Sequence, residues 1–295
     1  MSHSNNQSKL LMAVSMLIFG TIGLFVKNIG FPSSFIAFAR ALIGSVFIAG
    51  FMLVSRHKVD REAVKKNLKI LIPSGIAIGF NWIALFEAYR FTGVAVGTLC
   101  YYMAPVILII VSPFLLKEKL TAVKIISVIA AIAGEVLISG VLSGTVRSAK
   151  GIALGLTAAV LYASVVLMNK FVKDLSPVVT TLIQMISAAV VMVPYVLITE
   201  NVGEFVFDRK SVIVTVIVGI VHTGITYMLY FASMQKIPAQ TTAVFSYIDP
   251  VTAIILSAAV LHEDFTAVQL AGTVLILGAT LFNELAPGLK KKRGE

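Results

Sequence analysis

The sequence predicts an all-α polytopic membrane protein of ten transmembrane helices, built as two inverted five-helix repeats with both termini cytoplasmic. Three observations carry this. The 295 residues are 58% hydrophobic and only 13% charged, with a mean hydropathy of +0.96, whereas a soluble domain carries about 25% charge. The apolar runs are continuous rather than alternating, which reads as membrane-spanning helix. And one stretch is written twice. Tyr102, Pro105, Val106, Glu118 and Thr121-Ala122-Val123 recur 145 positions later as Tyr247, Pro250, Val251, Glu263 and Thr266-Ala267-Val268. The same offset pairs Gly79 with Gly224, Phe86 with Phe231 and Ser112 with Ser257, the mark of an internal repeat.

Taken in order, the apolar segments are 9–27, 34–54, 69–90, 94–116, 122–141, 151–170, 177–198, 211–233, 239–261 and 267–285. Each is near 20 residues, enough to cross about 30 Å of hydrocarbon at about 1.5 Å per residue. The first follows Lys9 and is long for a signal-peptide core, so it reads as an uncleaved first helix. Phe91-Thr92-Gly93 and Ile237-Pro238 are connections so short that their flanking helices must be antiparallel neighbours. The longer loops, 55–68 and 199–210, hold no domain. The repeats divide the chain into 1–145 and 146–295, the second ending in a basic cytoplasmic tail. Gly75–Gly79 and Gly151–Gly155 have the small-xxx-small spacing that lets helices approach and are expected to serve packing within the bundle. A homodimer stays open.

Of the 24 Lys and Arg residues, 17 fall on the side of the N-terminus, 6 on the other and one, Arg40, in the membrane. The richer side is the cytoplasm. Five helices per repeat is an odd number, so the second copy enters from the opposite face. Inverted repeats with a site near the midplane are a transporter architecture. The net charge of +10 is accounted for by this asymmetry, which argues against a nucleic-acid partner. The single Cys100 excludes an internal disulfide.

Ionisable groups inside the membrane are costly and become site candidates. Arg40, Glu87 and Glu135 reach similar depths in the outer half. Arg40 either binds a substrate carboxylate or forms a structural ion pair with Glu87 or Glu135. Asp249 precedes Pro250 in the ninth segment. Proline frees a backbone carbonyl one turn earlier, and irregular backbone at membrane depth is tolerated where it lines a cavity. A carboxyl there serves either proton coupling and substrate binding, or holds the kink through Ser246 or Thr252. Ala104 occupies the equivalent place in the first copy, so the carboxyl is an asymmetric addition. His222 is a further titratable group in the eighth segment. Asn81, Trp82, Tyr101, Tyr102, Tyr162, Gln184, Tyr227 and Tyr247 form a mid-depth polar and aromatic set, split between a cavity wall and helix packing. Glu118 and Glu263 each stand three residues before a Thr that caps the next helix and read as structural acceptors of helix N–H groups. Asn283 and Glu284 read as interfacial.

The motifs Asn81-Trp82, Ala88-Tyr89, Val94-Ala95-Val96, Tyr101-Tyr102-Met103-Ala104-Pro105-Val106 and Leu116-Lys117-Glu118-Lys119-Leu120-Thr121, with Tyr247-Ile248-Asp249-Pro250-Val251 and Leu261-His262-Glu263-Asp264 in the second copy, resemble the drug/metabolite transporter superfamily, specifically its EamA-type ten-helix members. The resemblance covers essentially the whole chain; His262 departs from the Gly often found before that Glu. It implies a secondary carrier, mostly an exporter of amino acids, metabolites or toxic compounds. In such proteins four helices of each half line a central cavity and the fifth and tenth pack outside. Expected, then, is a non-ATP transporter in a prokaryotic plasma membrane, working by alternating access on a small-molecule substrate, with the lipid bilayer as its other partner and no cofactor or metal. No Gly-x-x-x-x-Gly-Lys loop supplies ATP chemistry, and no His-Glu-x-x-His or Gly-x-Ser-x-Gly motif indicates an enzyme. A passive channel or solute facilitator is the alternative.

Overall fold

Backbone N–H and C=O groups find no partner in hydrocarbon, so continuous apolar runs satisfy them within helices. The computed structural model describes residues 2–115, 121–139, 148–234, 236–237, 245–264 and 266–293, and among these there are helices and no strand. In chain order they are α1 (Ser2–Gly20), α2 (Ile22–Val26), α3 (Ser33–Val54), α4 (Arg61–Thr92), α5 (Val94–Tyr101), α6 (Ala104–Leu115), α7 (Ala122–Ser139), α8 (Ala149–Asn169), α9 (Pro177–Thr199), α10 (Arg209–Ile217), a π-helical stretch (Val218–Ile225), α11 (Thr226–Met234), α12 (Ile248–Ala259) and α13 (Ala267–Arg293). Glu118 and its Leu116–Leu120 motif lie outside the described residues.

Caps set several starts. Asp60 Oδ1 accepts from the Glu62 and Ala63 N–H groups at 2.9 and 3.1 Å and opens α4. The polar stretch 61–68 is rich in helix formers, so α4 begins eight residues before the apolar segment predicted from 69. Ser176 caps α9, with Pro177 at its first position. Thr121 and Thr266 accept from Lys124 N and Gln269 N, as expected of caps.

Prolines interrupt the helices in matching places. The fourth segment is two helices, with Tyr102 and Met103 in a turn ahead of Pro105. Pro105 has no N–H, and its ring would crowd the carbonyl four residues earlier. In the second repeat α12 likewise begins only after a turn at Tyr247, three residues before Pro250. The eighth segment holds an unforeseen feature, the π-helical stretch. Such turns are rare and collect at functional sites.

Packing obeys the repeat. α4 lies on α8, and its mate α11 lies on α1; α3 meets the π-helical stretch as α9 meets α4; α7 pairs with α13, and α3 with α9. Exchanging the two halves maps each of these contacts onto another of the set or onto itself. Among the described residues, seven stretches are long and apolar enough to cross a membrane, with Ile248–Ala259 and Ala267–Phe282 as shorter apolar helices. Large apolar side chains face outward from them: Leu53, Val54 and Phe114 are each at least 80% exposed. In water that surface would be untenable. The chain is a multi-pass membrane protein.

The two glycine pairs do serve packing within the chain. Gly75 on α4 abuts Gln184 and Ser187 of α9, and Gly155 on α8 abuts Cys100 of α5. A Cβ added at Gly155 would stand 2.6 Å from Cys100 Cβ. Gly155→Val is therefore expected to cost about 1–3 kcal/mol by overpacking, seen as a lower unfolding midpoint in detergent.

Candidate solute-binding site

Residues three, four or seven apart share a helix face. Trp82, Leu85 and Tyr89 form such a face on α4, Thr98 and Tyr101 on α5, Tyr227 and Tyr230 on α11. Together with Met16 and Phe19 of α1, Ile22 of α2, Arg40 of α3, Tyr102, Tyr162 of α8, Ser246 and Asp249 they line a partly open cavity of about 170 Å³. Both repeats contribute. Aromatic contacts stiffen the wall: Tyr101 and Tyr162 rings are 5.2 Å apart, Tyr101 and Tyr102 6.0 Å, and Phe19 and Tyr227 5.3 Å.

Arg40 is 3% exposed. Its Nε donates to Thr223 Oγ1 at 3.1 Å, and its Cζ lies over the Trp82 ring at 3.8 Å from the centroid, with the Phe86 ring at 5.6 Å. The expected ion pair with Glu87 or Glu135 is not formed. Glu87 instead pairs with Arg90, one turn along the same helix, at 3.4 Å. Glu135 on α7 accepts from Cys100 Sγ at 3.0 Å. Arg40 turns to the Trp82 face of α4 and away from both carboxylates. Among the described residues no carboxylate lies within ion-pair distance of it.

Thr223 sits in the π-helical stretch. Its hydroxyl also donates to Val218 O, five residues back, at 3.3 Å, a register only a π turn offers. With its proton committed there, its oxygen is left to accept from Arg40. Thr223→Val removes that acceptor at nearly constant shape; we expect about tenfold weaker solute binding, while Thr223→Ser keeps it. Solute-induced quenching of Trp82, the only tryptophan in the chain, measures this.

Asp249 is the other charged group in the wall. Its Oδ2 accepts from Tyr102 OH at 3.0 Å, not from Ser246 or Thr252; Thr252 Oγ1 donates to its own helix, at Ile248 O. The remaining candidates lie outside the cavity. His222 is buried against α2 and Thr21, the residue between α1 and α2, with Nε2 2.8 Å from Thr21 Oγ1 and its ring 4.9 Å from Phe25. Asn81 Nδ2 donates to Ala158 O at 2.6 Å and ties α4 to α8. Gln184 bonds Ser74 and Asn169. Tyr247 occupies the turn before α12. Met16, Phe19, Ile22, Leu85, Tyr89, Thr98 and Tyr230 are wall residues that were not site candidates from sequence, and Ser246 had entered only as a side chain that could hold the Asp249 kink. The i, i+3, i+7 spacing of Trp82, Leu85 and Tyr89 was the signal that could have found Tyr89.

Above the cavity, Glu263 spans the two repeats. Its carboxylate accepts from Val94 N–H at 2.8 Å and Ala95 N–H at 3.3 Å, pairs with Lys27 Nζ at 2.9 Å and accepts from Ser257 Oγ. The sequence reading of Glu263 as an acceptor of helix N–H groups holds, but the helix is α5 of the other repeat. Gly93, with φ of +88°, lies against that carboxylate. A positive φ suits glycine, and a Cβ there would meet the Glu263 oxygens.

The comparisons agree with this architecture. The EamA-like transporter family matches twice, over residues 7–140 and 149–284. The uncharacterized transporter YxxF of Bacillus subtilis is 28% identical over all of this chain and 93% of its own length. An uncharacterized transporter of Archaeoglobus fulgidus is 25% identical over 92% of this chain and 93% of its own. A crystal structure at 18% identity superposes with a TM-score of 0.68, covering 95% of this chain and 97% of the other, and so shares the fold. The chain belongs to the EamA-like transporter family.

Proposed function

We propose that the chain is a secondary carrier that exports small organic solutes, such as amino acids or related metabolites, across a prokaryotic plasma membrane. Ten spans in two inverted repeats, with both termini cytoplasmic, would rock around the shared cavity to give alternating access. The observation that supports this best is the buried Arg40 with no carboxylate at ion-pair distance among the described residues. A guanidinium has five N–H donors, and Thr223 takes one. The rest favour an anionic group of a solute, for a buried charge is stable only when paired. Trp82, Tyr101 and Tyr162 offer apolar faces to the solute body.

The test is purified protein in liposomes, offered an amino-acid and metabolite panel with and without an imposed pH gradient. Saturable flux with counterflow supports a carrier. Flux that rises linearly with concentration and shows no counterflow would point to the passive channel.

A further inference from the structure

The phenol of Tyr102 has one proton and faces two acceptors. Its oxygen lies 3.0 Å from Asp249 Oδ2 and 3.2 Å from the Ser246 carbonyl oxygen. Ser246 stands four residues before Pro250, so its carbonyl is the one that proline cannot serve with a helical N–H. Tyr102 itself stands in the turn between α5 and α6, the equivalent break of the first repeat. One side chain thus joins the broken helices of both repeats. The link occurs on one side of the pseudo-symmetry only, because the repeat partner of Asp249 is Ala104.

We propose that Asp249, Tyr102 and the Ser246 carbonyl form a proton switch that couples solute movement to a proton gradient; this rests on the carrier reading above. With Asp249 ionised, Tyr102 donates to the carboxylate, the stronger acceptor because it is charged. The Ser246 carbonyl then receives no proton from Tyr102. When one proton binds, the carboxylate becomes a carboxyl group and one O–H bond forms. That O–H donates to the Tyr102 oxygen, and the Tyr102 proton turns to the Ser246 carbonyl. Two protons now serve two contacts, and the first-repeat break is clamped to the second. Loss of the proton leaves one contact between the breaks, Tyr102 on the carboxylate, and withdraws the one to the Ser246 carbonyl. Since the breaks belong to halves that must move against each other, the proton biases which arrangement is favoured.

The other titratable groups facing the cavity are Tyr101 of α5, Tyr162 of α8, Tyr227 and Tyr230 of α11, Tyr89 of α4 and Arg40 of α3. α1 and α2 contribute Met16, Phe19 and Ile22, none of them titratable. Phenols and guanidinium groups do not ordinarily change charge near neutral pH, whereas a carboxyl group in a protein interior can. Asp249 is the group in this wall suited to carry the proton.

Infrared difference spectra of the purified protein in lipid, recorded as pH is lowered, test this without any solute. A protonated-carboxyl band that D249N removes is expected, and Y102F should move that band to higher frequency because the carboxyl loses its acceptor. In liposomes, with L-phenylalanine as the probe, the ratio of flux with a pH gradient to flux without one should fall to unity in both variants, whatever their absolute rates. A band absent from the wild type, a band that Y102F leaves in place, or a Y102F protein still accelerated by the gradient overturns the switch. A wild-type protein that shows the band and its Y102F shift but transports nothing in the panel supports the link and sinks the carrier reading instead.

Discussion

Arg40→Met is expected to lower transport of carboxylate-bearing solutes about 100-fold while making the empty protein more stable. The two effects have one cause. The guanidinium is buried, with a single hydrogen bond and no carboxylate at ion-pair distance among the described residues. A buried charge left in that condition destabilises the fold. Methionine keeps the apolar stem over Trp82 and removes the charge. A solute carboxylate meeting the guanidinium would form two charge-assisted hydrogen bonds, each of about 1.5–3 kcal/mol; losing them accounts for the fall in flux. Arg40→Lys keeps the charge but loses the planar fork, so it should fall between. Initial rates in liposomes and unfolding midpoints in detergent check both halves. A structural ion pair would behave oppositely, with Arg40→Met less stable because a carboxylate is stranded. If stability falls along with transport, the anchor reading is lost.

Glu263→Ala is expected to cost roughly 2–4 kcal/mol of stability, because it strands several buried or half-buried partners at once. Val94 and Ala95 lose the acceptor of their N–H groups at the start of α5, and Lys27 loses its ion pair. No other contact described here joins the loop after α12 to both α5 and Lys27. The effect carries a pH signature. Burial raises the affinity of the Glu263 carboxyl for its proton, but the Ser257 hydroxyl, Lys27 and the Val94 N–H together outweigh it and hold the carboxyl below its ordinary range. A carboxyl lowered in the folded state stabilises fully above its ordinary, unfolded value. That contribution fades as pH falls through the lowered, folded one. The clasp therefore holds at neutral pH and weakens only in acid. Unfolding midpoints of wild type and Glu263→Gln should converge as pH is lowered below the carboxylate range. A difference that stays constant from neutral to acid pH would mean that Glu263 acts by shape and not by charge.

Much of this was legible before any coordinates. Pro250 marked a helix break, because a missing N–H is a property of one residue; the matching break ahead of Pro105, inside the segment read as continuous from 94 to 116, was not foreseen. Thr121 and Thr266 marked two helix starts for the same kind of local reason. Arg40, Asp249, Trp82, Tyr101, Tyr102 and Tyr162 were singled out as polar or aromatic groups at membrane depth, and all six line one cavity. Asn81, Glu87, His222 and Tyr247 were singled out on the same grounds and lie elsewhere. Nothing in their local sequence distinguishes the two sets. Of the two readings of Arg40, the ion pair with Glu87 or Glu135 is not formed: depth along the helices suggested it, whereas Arg40 meets Trp82 and Thr223.

Composition, the near-20-residue apolar periods and the 145-residue repeat were enough to specify a membrane protein of paired helical halves. Those features answer to hydrocarbon thickness and to the hydrogen-bonding needs of each helix taken singly. Which side chains meet could be decided only by the assembled bundle. Arg40 and Thr223 are 183 residues apart, and Tyr102 and Asp249 are 147. A helix apolar all round carries no polar stripe to show which face turns inward. Its rotation is settled by small-residue contacts such as Gly155 against Cys100 and by the unforeseen π turn at Val218–Ile225, and those depend on every neighbouring helix at once.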